Sequence, residues 1–394
     1  MKIMRPARRV VTLVTALALG TSLALAPATA NATSAHHARH GATLTVETYN
    51  MDGGGDLNPL FTEPDLITAT STVWAGMVAG DIPTRAKGLA RDLAMNQPDV
   101  VGLQEASVWS AAPLDIQTQQ PTGPFVVRYD SLASLLAELS ALGTPYRAVV
   151  LNKTFGNEAF PLPAMTGPGQ FSLVTFVDYN VILVRETSLR NGLRVGNAQS
   201  HIYQVALPVS VAGQSIAITR GWAQADITVR GRTVRFVDTH LEAFGTPPIK
   251  DDARNPQAAE LAANVTAWEK HLRVVVVGDI NARPTMCTDI PRSDPFEHTL
   301  DGNVKAYGIL QAAGLTEVWP ALHPWAPCAP RSWTSGSREL NDPAGPLTHR
   351  IDDVFVSHGV TPTSVRIVGT HTWEMYGGLW PSDHASTYAV LHMR

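Results

Sequence analysis

The sequence predicts an α/β fold in which two packed, mainly antiparallel sheets are flanked by helices. Three observations predict it. Short apolar runs rich in Val, Ile, Leu and Phe outnumber helical patterns, yet helical patterns recur along the chain. No internal repeat, heptad pattern or linker divides the chain. The run Val274-Val275-Val276-Val277 is β-branched and apolar on both faces, which suits a strand covered on both sides.

Residues 1–30 read as a cleaved export signal. Lys2, Arg5, Arg8 and Arg9 make a basic start, Val10 to Ala26 is apolar, and Ala28-Thr29-Ala30 suits a small-residue cleavage site. The apolar run stops at Pro27 and is short for a membrane span. Arg8-Arg9 gives only a partial twin-arginine pattern. Residues 31–42 read as a flexible lead and residues 43–394 as one domain, expected to be secreted, monomeric and not stably inserted in membrane. Removing the first 30 of 394 residues leaves 364, and losing four positive charges takes the formal net charge from −4 to −8. Tight nonspecific binding to phosphate backbones needs many Lys and Arg contacts, so a polycationic nucleic-acid binder is excluded. A bound cation would still let an acidic protein take a phosphate substrate. Cys287 and Cys328, in an exported chain, suggest one disulfide. Asn31, Asn152 and Asn264 head glycosylation sequons.

In chain order, Leu44 to Asn50 alternates as a strand, and the Gly- and Asp-rich stretch Met51 to Pro59 is a loop. Pro83 to Asn96 has helical spacing, Pro98 ends it, and Asp99 to Glu105 reads as a buried strand. Ser107 to Gly123 is expected to be irregular, and Asp130 to Leu142 helical. Strands follow at Ala148–Leu151, Phe171–Val177, Val181–Val184 and Ile216–Thr219. Ala223–Val229 and Val234–Thr239 flank Arg230-Gly231-Arg232 as a hairpin. A helix at Pro256–Leu272 leads into the four-Val strand, and a short helix is expected near Val304–Ala313. Strands at Ile351–Val356 and Tyr388–His392 close the chain.

One pattern repeats. An apolar strand runs out and a metal- or proton-handling side chain stands at its end: Asn50, Gln104-Glu105, Asp238-Thr239-His240, Asp279 with Asn281, and Ser382-Asp383-His384 after the Trp380-Pro381 turn. Asp352 lies in the strand that starts at Arg350-Ile351. Singly, each has an ordinary reading as a solvated strand end, a hydrogen-bonding His or a turn. Together they supply carboxylates, amides and two imidazoles, the ingredients of metal-assisted phosphate-ester hydrolysis. A hard cation takes carboxylate and amide oxygens, imidazole handles protons, and a carboxylate behind an imidazole fixes its tautomer. No His-Glu-x-x-His, Gly-x-Ser-x-Gly, Gly-x-Gly-x-x-Gly or P-loop pattern is present, which sets aside zincin, serine-hydrolase and nucleotide-cofactor chemistry.

Thr48-Tyr49-Asn50, Pro98 to Glu105, Thr239 to Glu242, Val277 to Asn281, Arg350-Ile351-Asp352 and Pro381-Ser382-Asp383-His384 occur in an order that resembles the endonuclease/exonuclease/phosphatase superfamily. That superfamily includes deoxyribonuclease I-like nucleases, sphingomyelinases and inositol-phosphate phosphatases. The ending Gly378 to Ala385 is most similar to exported bacterial members. The resemblance implies a four-layered α/β/β/α sandwich with its site at one end of the sheets. It implies Mg²⁺, with Mn²⁺ or Ca²⁺ as alternatives, held by Glu105, Asn50 and Asp383. By the same resemblance Asp279 orients or activates water, Asn281 holds a phosphoryl oxygen, and His240 contacts phosphate or assists the leaving group. His384, oriented by Asp352, acts as base or transition-state stabiliser. Asp353 departs from the family's usual aromatic or His and is expected to perturb Asp352. Arg220, Arg283 and Arg350 are candidate phosphate contacts, and Trp373, Tyr376, Leu379 and Trp380 a candidate apolar rim. The substrate class is a phosphate ester: a small molecule, a lipid headgroup or, alternatively, DNA. The reading from another class is a non-catalytic binding protein on the same fold.

Overall fold

A pair of parallel strands sits inside each of two sheets, and the carboxyl ends of these pairs face one another. The computed structural model describes residues 41–211, 214–243, 253–287 and 300–394. The expected export signal and lead therefore lie outside the described residues, apart from the last two residues of the lead.

Strand β1 (Ala42–Asn50) connects through α1 (Leu66–Ala79) and α2 (Ile82–Asn96) to β2 (Val100–Gln104). Next come β3 (Val108–Asp115), α3 (Ser131–Ala141), the long β4 (Gln170–Arg185) and β5 (Arg194–Ile202). The hairpin of β6 (Gly221–Val229) and β7 (Arg232–His240) leads through α4 (Arg254–Trp268) to β8 (Arg273–Asp279). Helix α5 (Leu300–Ala312), β9 (Asp352–Val356), β10 (Val360–Val368) and β11 (Ser386–Met393) complete the frame. The first sheet has the order β10-β11-β1-β2-β4-β3, with short strands added around β3 and β4. The second runs Thr316–Glu317, β9, β8, β7, β6, β5. Within this frame only β1 with β2 and β7 with β8 pair in parallel. Parallel neighbours need a crossover, and the helices before β2 and β8 supply it.

Between the sheets lie Leu44, Val46, Val100, Phe236, Val275, Val277, Val354 and Leu391, all buried. The opposite faces are covered by helices. Leu89, Leu93, Leu135 and Leu139 pack on Val101 and Leu103, while Leu261, Val265, Tyr307 and Leu310 pack on Val274, Val276 and Phe355. The order helix, sheet, sheet, helix is the four-layered sandwich. The four-Val run divides as its alternation demands, Val275 and Val277 inward and Val274 and Val276 toward helices. Each fully buried Val contributes on the order of 1.5–3 kcal/mol.

The expected helices and strands form, with shifts of a few residues at their ends. Arg230 and Gly231 make the hairpin turn with φ of 49° and 75°, the positive-φ pair that matches strand twist. Strands β5 and β10 form where the sequence predicts none, the expected strands Phe171–Val177 and Val181–Val184 are one continuous β4, and two further segments differ from expectation. Residues Val108–Asp115, expected to be irregular, form a strand paired to β4, with Trp109 opposite Phe176. Its small residues and Pro113 conceal the strand in sequence; long-range pairing overrides them. Helix α1 is rich in Thr and β-branched residues and shows no clear helical period. It forms because Asp65 caps Thr68 N–H at 2.7 Å and because Val73, Trp74 and Met77 pack into a core cluster with Trp109 and Val174, while the hydroxyls of Thr70, Ser71 and Thr72 are satisfied by carbonyls four residues earlier. Asn152 of the second sequon is buried, its amide bound to His201 O, so it is closed to glycosylation in the folded chain.

Cys287 and Cys328 are joined. Replacing both with Ser is expected to lower the unfolding free energy by about 3–4 kcal/mol, read by denaturant titration, because the closed loop restricts the unfolded chain. Asp92 of α2 is buried, and burial, with Glu374 and Glu47 nearby, pushes its carboxyl up to about 8. A carboxyl raised on folding favours the folded state most at low pH and loses that contribution as pH rises toward 8. Asp92→Asn is therefore expected to raise the melting temperature at pH 8 by a few degrees and to change it little at pH 4.

Candidate functional site

Alternation decides which side chains meet. Asn50 shares the inter-sheet face with Leu44 and Val46, His240 with Val234 and Phe236, Asp279 with Val275 and Val277, and Asp352 with Val354 and Val356. Strand register then aligns the ends. Asn50 pairs with Gln104 across the first parallel pair, and His240 with Asp279 across the second, with Asp352 opposite Asp279. β1 faces β8 and β2 faces β7 across the interface. Glu105 would point to the other face if β2 continued. Its φ of 55° turns the chain and carries the carboxylate back to Asn50.

The amide nitrogen of Asn50 donates to Glu105 Oε1 and to Asp279 Oδ2, each at 3.0 Å. This amide joins the two halves of the site. Glu105 Oε2 accepts from Gly53 N–H at 2.8 Å, and Asn50 Oδ1 accepts from Asp52 N–H at 2.9 Å. Asp279 Oδ1 accepts from Asn281 N–H at 2.9 Å, and the Asn281 amide donates to Leu241 O. Asn281 is therefore pinned just past β8 by its N–H and by its side-chain amide, with φ of 51°. Burial, reinforced by Asp352, pushes Asp279 up to about 7.

His384 Nδ1 lies 2.9 Å from Asp352 Oδ2 and 4.0 Å from Asp279 Oδ2. Burial opposes its charge, but Asp352 and Asp383 prevail and hold the imidazole well above its usual range. Asp352 is itself fixed by Thr334, whose hydroxyl accepts from the Ile351 and Asp352 backbone N–H groups. His240 has the opposite character. Its Nδ1 lies 3.1 Å from Arg220 Nη1, and a guanidinium only donates, so Nδ1 accepts and the proton sits on Nε2. That Nε2 is 3.5 Å from Asp279 Oδ2. Burial first, then Arg220 and His384, pushes His240 well below the usual range. The two imidazoles are thus pushed in opposite directions.

Arg220 is held between Asp178 and Glu242 at 3.4 and 3.2 Å, so it positions His240 while its own charge is balanced. Arg350 does not serve phosphate. It is buried in ion pairs with Glu317 and Asp353 at 2.8 and 3.1 Å. The expectation that Asp353 perturbs Asp352 is thus tempered, because Arg350 takes up its charge. The apolar rim does not form as expected. Trp380 is buried and Tyr376 half-buried, and of the four only Trp373 is well exposed. Asp52, Asp178 and Thr334 were not singled out from sequence. Asp178 had a signal, since Asp178 and Asn180 interrupt two apolar runs of one strand.

Two acidic groupings bear on a metal. Asp279, Asp352 and His384 have donor atoms within 4.8 Å of one another, but a charge-assisted hydrogen bond already closes that trio. The other grouping is Asp52, Glu105 and Asp383. Burial, then the charges of Asp52 and Glu105, pushes Asp383 up to about 7 despite His384 and Arg85. Carboxylates crowded with too little positive charge, with an amide beside them, are oxygen donors that suit a hard divalent cation. The residues Asn50, Glu105 and Asp383 fit such an ion. Because Asp352 fixes the His384 ring, Asp352→Asn is expected to lower kcat about 10²–10⁴-fold on any substrate turned over, with the fold unchanged by circular dichroism.

The chain matches the Endonuclease/Exonuclease/phosphatase family over residues 48–384. No curated protein sequence matches it at a significant level. Among solved structures it is similar to an endonuclease/exonuclease/phosphatase family protein from Bacteroides thetaiotaomicron, at 15% identity and TM-score 0.50, covering 90% of this chain and 99% of that one. It is also similar to a mannosyl-6-phosphatase from the same organism, at 15% identity and TM-score 0.48, covering 88% and 99%. D. rerio TDP2 complexed with single strand DNA product aligns at 17% identity and TM-score 0.46, covering 89% and 99%. The matched stretch runs from the strand end at Asn50 to His384 and takes in the whole constellation, and the chain belongs to the Endonuclease/Exonuclease/phosphatase family.

Proposed function

We propose that the protein is an exported phosphoesterase, dependent on a divalent metal such as Mg²⁺, that cleaves a phosphodiester or phosphomonoester with water. The observation that carries this reading is the Asn50 amide, hydrogen-bonded at 3.0 Å both to Glu105 and to Asp279. It ties the acidic metal-suited group to the proton-handling group at the ends of the facing strands.

Residues 43–394 act as the catalytic domain in this reading, as a monomer. Asn50, Glu105 and Asp383 would hold the metal, which when bound would supply Lewis-acid stabilisation of the phosphoryl group. Asp279 accepts the proton of the attacking water, its other oxygen kept in place by Asn281 N–H. His240 presents Nε2–H, a donor suited to a phosphoryl oxygen or the leaving group. His384, charged and anchored on Asp352, stabilises negative charge on the phosphoryl oxygens. Asn281 shapes the rim beside Asp279. A binding protein that had lost chemistry would lack part of this set, and the set is complete.

The test is hydrolysis of bis-p-nitrophenyl phosphate and p-nitrophenyl phosphate with Mg²⁺ or Mn²⁺. EDTA is expected to abolish turnover, and Glu105→Ala or Asp279→Asn to reduce it about 10²–10³-fold. Full activity of either variant overturns the site assignment; no turnover on any phosphoester favours the binding protein. Plasmid DNA, sphingomyelin, inositol phosphates and nucleotides then separate the nuclease from the other substrate classes.

A further inference from the structure

A second cleft, of about 570 Å³, lies beside the loop that leads to Asp383 and His384, and none of the site residues lines it. Its walls carry Arg331, Arg338 and Arg366 with Trp319, Trp333 and Trp380, and two histidines. No Asp or Glu lines it. Its size is that of a small-molecule pocket.

Arg338 is the unusual member. It is only 7% exposed, yet no carboxylate pairs with it among the described residues. Of the other buried arginines, Arg85, Arg220, Arg235 and Arg350 each have a carboxylate within 3.6 Å, and Arg254 donates to three backbone carbonyls. Arg338 donates from Nη1 to Gly369 O at 2.8 Å and lies over the Trp380 ring at 4.2 Å, while its Nε–H has no acceptor. Trp333 Nε1, also buried, has none either. Burying a charge without a counter-charge is costly, as is an N–H without an acceptor. If Arg338 only pinned the Gly369 carbonyl, these two donors would stay unsatisfied. Arg331, at the mouth over Trp319 at 6.0 Å, and Arg366, bound to the neutral Asn96 Oδ1, add positive charge with no ion pair among the described residues.

We propose that this cleft binds a small anion carried on a flat ring, a ring-bearing phosphate or carboxylate, with Arg338 as its counter-charge. Trp333 Nε1 gives a second hydrogen bond, and the indoles of Trp319 and Trp380 wall the ring. Arg331 guards the entrance. The inference does not rest on the phosphoesterase reading, since no residue of that site lines the cleft.

The experiment is ¹⁹F NMR of the full protein carrying 5-fluorotryptophan in its 9 Trp positions, with the Trp333 signal identified by Trp333→Phe. Phenylphosphonate, benzoate and neutral benzyl alcohol are titrated in EDTA. The expected result is a saturable shift of the Trp333 signal with phenylphosphonate, benzoate or both, and none with benzyl alcohol; the tighter of the two names the anion. Arg331→Ala is expected to raise the dissociation constant about fivefold or more, and Arg338→Met to abolish the shift. If Arg338→Met does not fold, Arg331→Ala decides. No shift with either anion, an equal shift with benzyl alcohol, or an unchanged constant in the folded arginine variants would overturn the proposal.

Discussion

The site depends on the register of two parallel strand pairs that face one another across the sandwich. Because side chains alternate, a slip of one residue in any of these strands would send its terminal polar group to the helix-covered face. Two close approaches hold the register. Gly278 adopts φ of 147°, and a Cβ there would come within 1.8 Å of Thr239 O. Gly102 faces across the interface, where a Cβ would meet Asp238 Oδ1 at 2.5 Å and displace the Gln104 bond that this carboxyl accepts. Glycine is required at both places so that His240 can align with Asp279 and so that β2 can approach β7.

Buried charge is then distributed in three ways. Around Arg350 and Arg220 the charges are matched, and these arginines hold the frame or orient His240. At Asp52, Glu105 and Asp383 negative charge is only partly offset, by Arg85 and His384, a state that a divalent cation would neutralise. At Arg338 it is positive, with no carboxylate in ion-pair contact among the described residues, and burial outweighs the more distant charges of Asp383 and Glu374. Trp380 packs on Arg338 and continues through Pro381 and Ser382 into Asp383 and His384, so one short loop touches both unbalanced regions. The two imidazoles show the same logic on a smaller scale. His384 beside Asp352 keeps a proton, and His240 against Arg220 cannot take a second one.

The polar strand ends were legible because a strand that is apolar along its length and polar at its tip states where burial stops. Asn50, His240, Asp279, Asp352 and His384 could all be read that way, and they do converge. Glu105 and Asp383 were legible as residues, yet their partner Asp52 was not, because a Gly- and Asp-rich loop offers no period to place it. Helix α1 was missed because apolar residues lie on several of its sides and blur the period, and strands β3, β5 and β10 because pairing with distant strands, not a local pattern, holds them.

The sequence by itself determined the layer architecture, the strand ends that carry chemistry and the family, since these rest on alternation and local order along the chain. Only the tertiary structure decided what each charged group does. Arg350 and Arg220 are equally plausible phosphate contacts in sequence, and folding buries one between Glu317 and Asp353 and sets the other against His240. Trp380 turns inward under Arg338 instead of forming a rim. The reason is physical: hydrophobic pattern is a property of near neighbours, whereas charge compensation depends on residues brought together from distant parts of the chain.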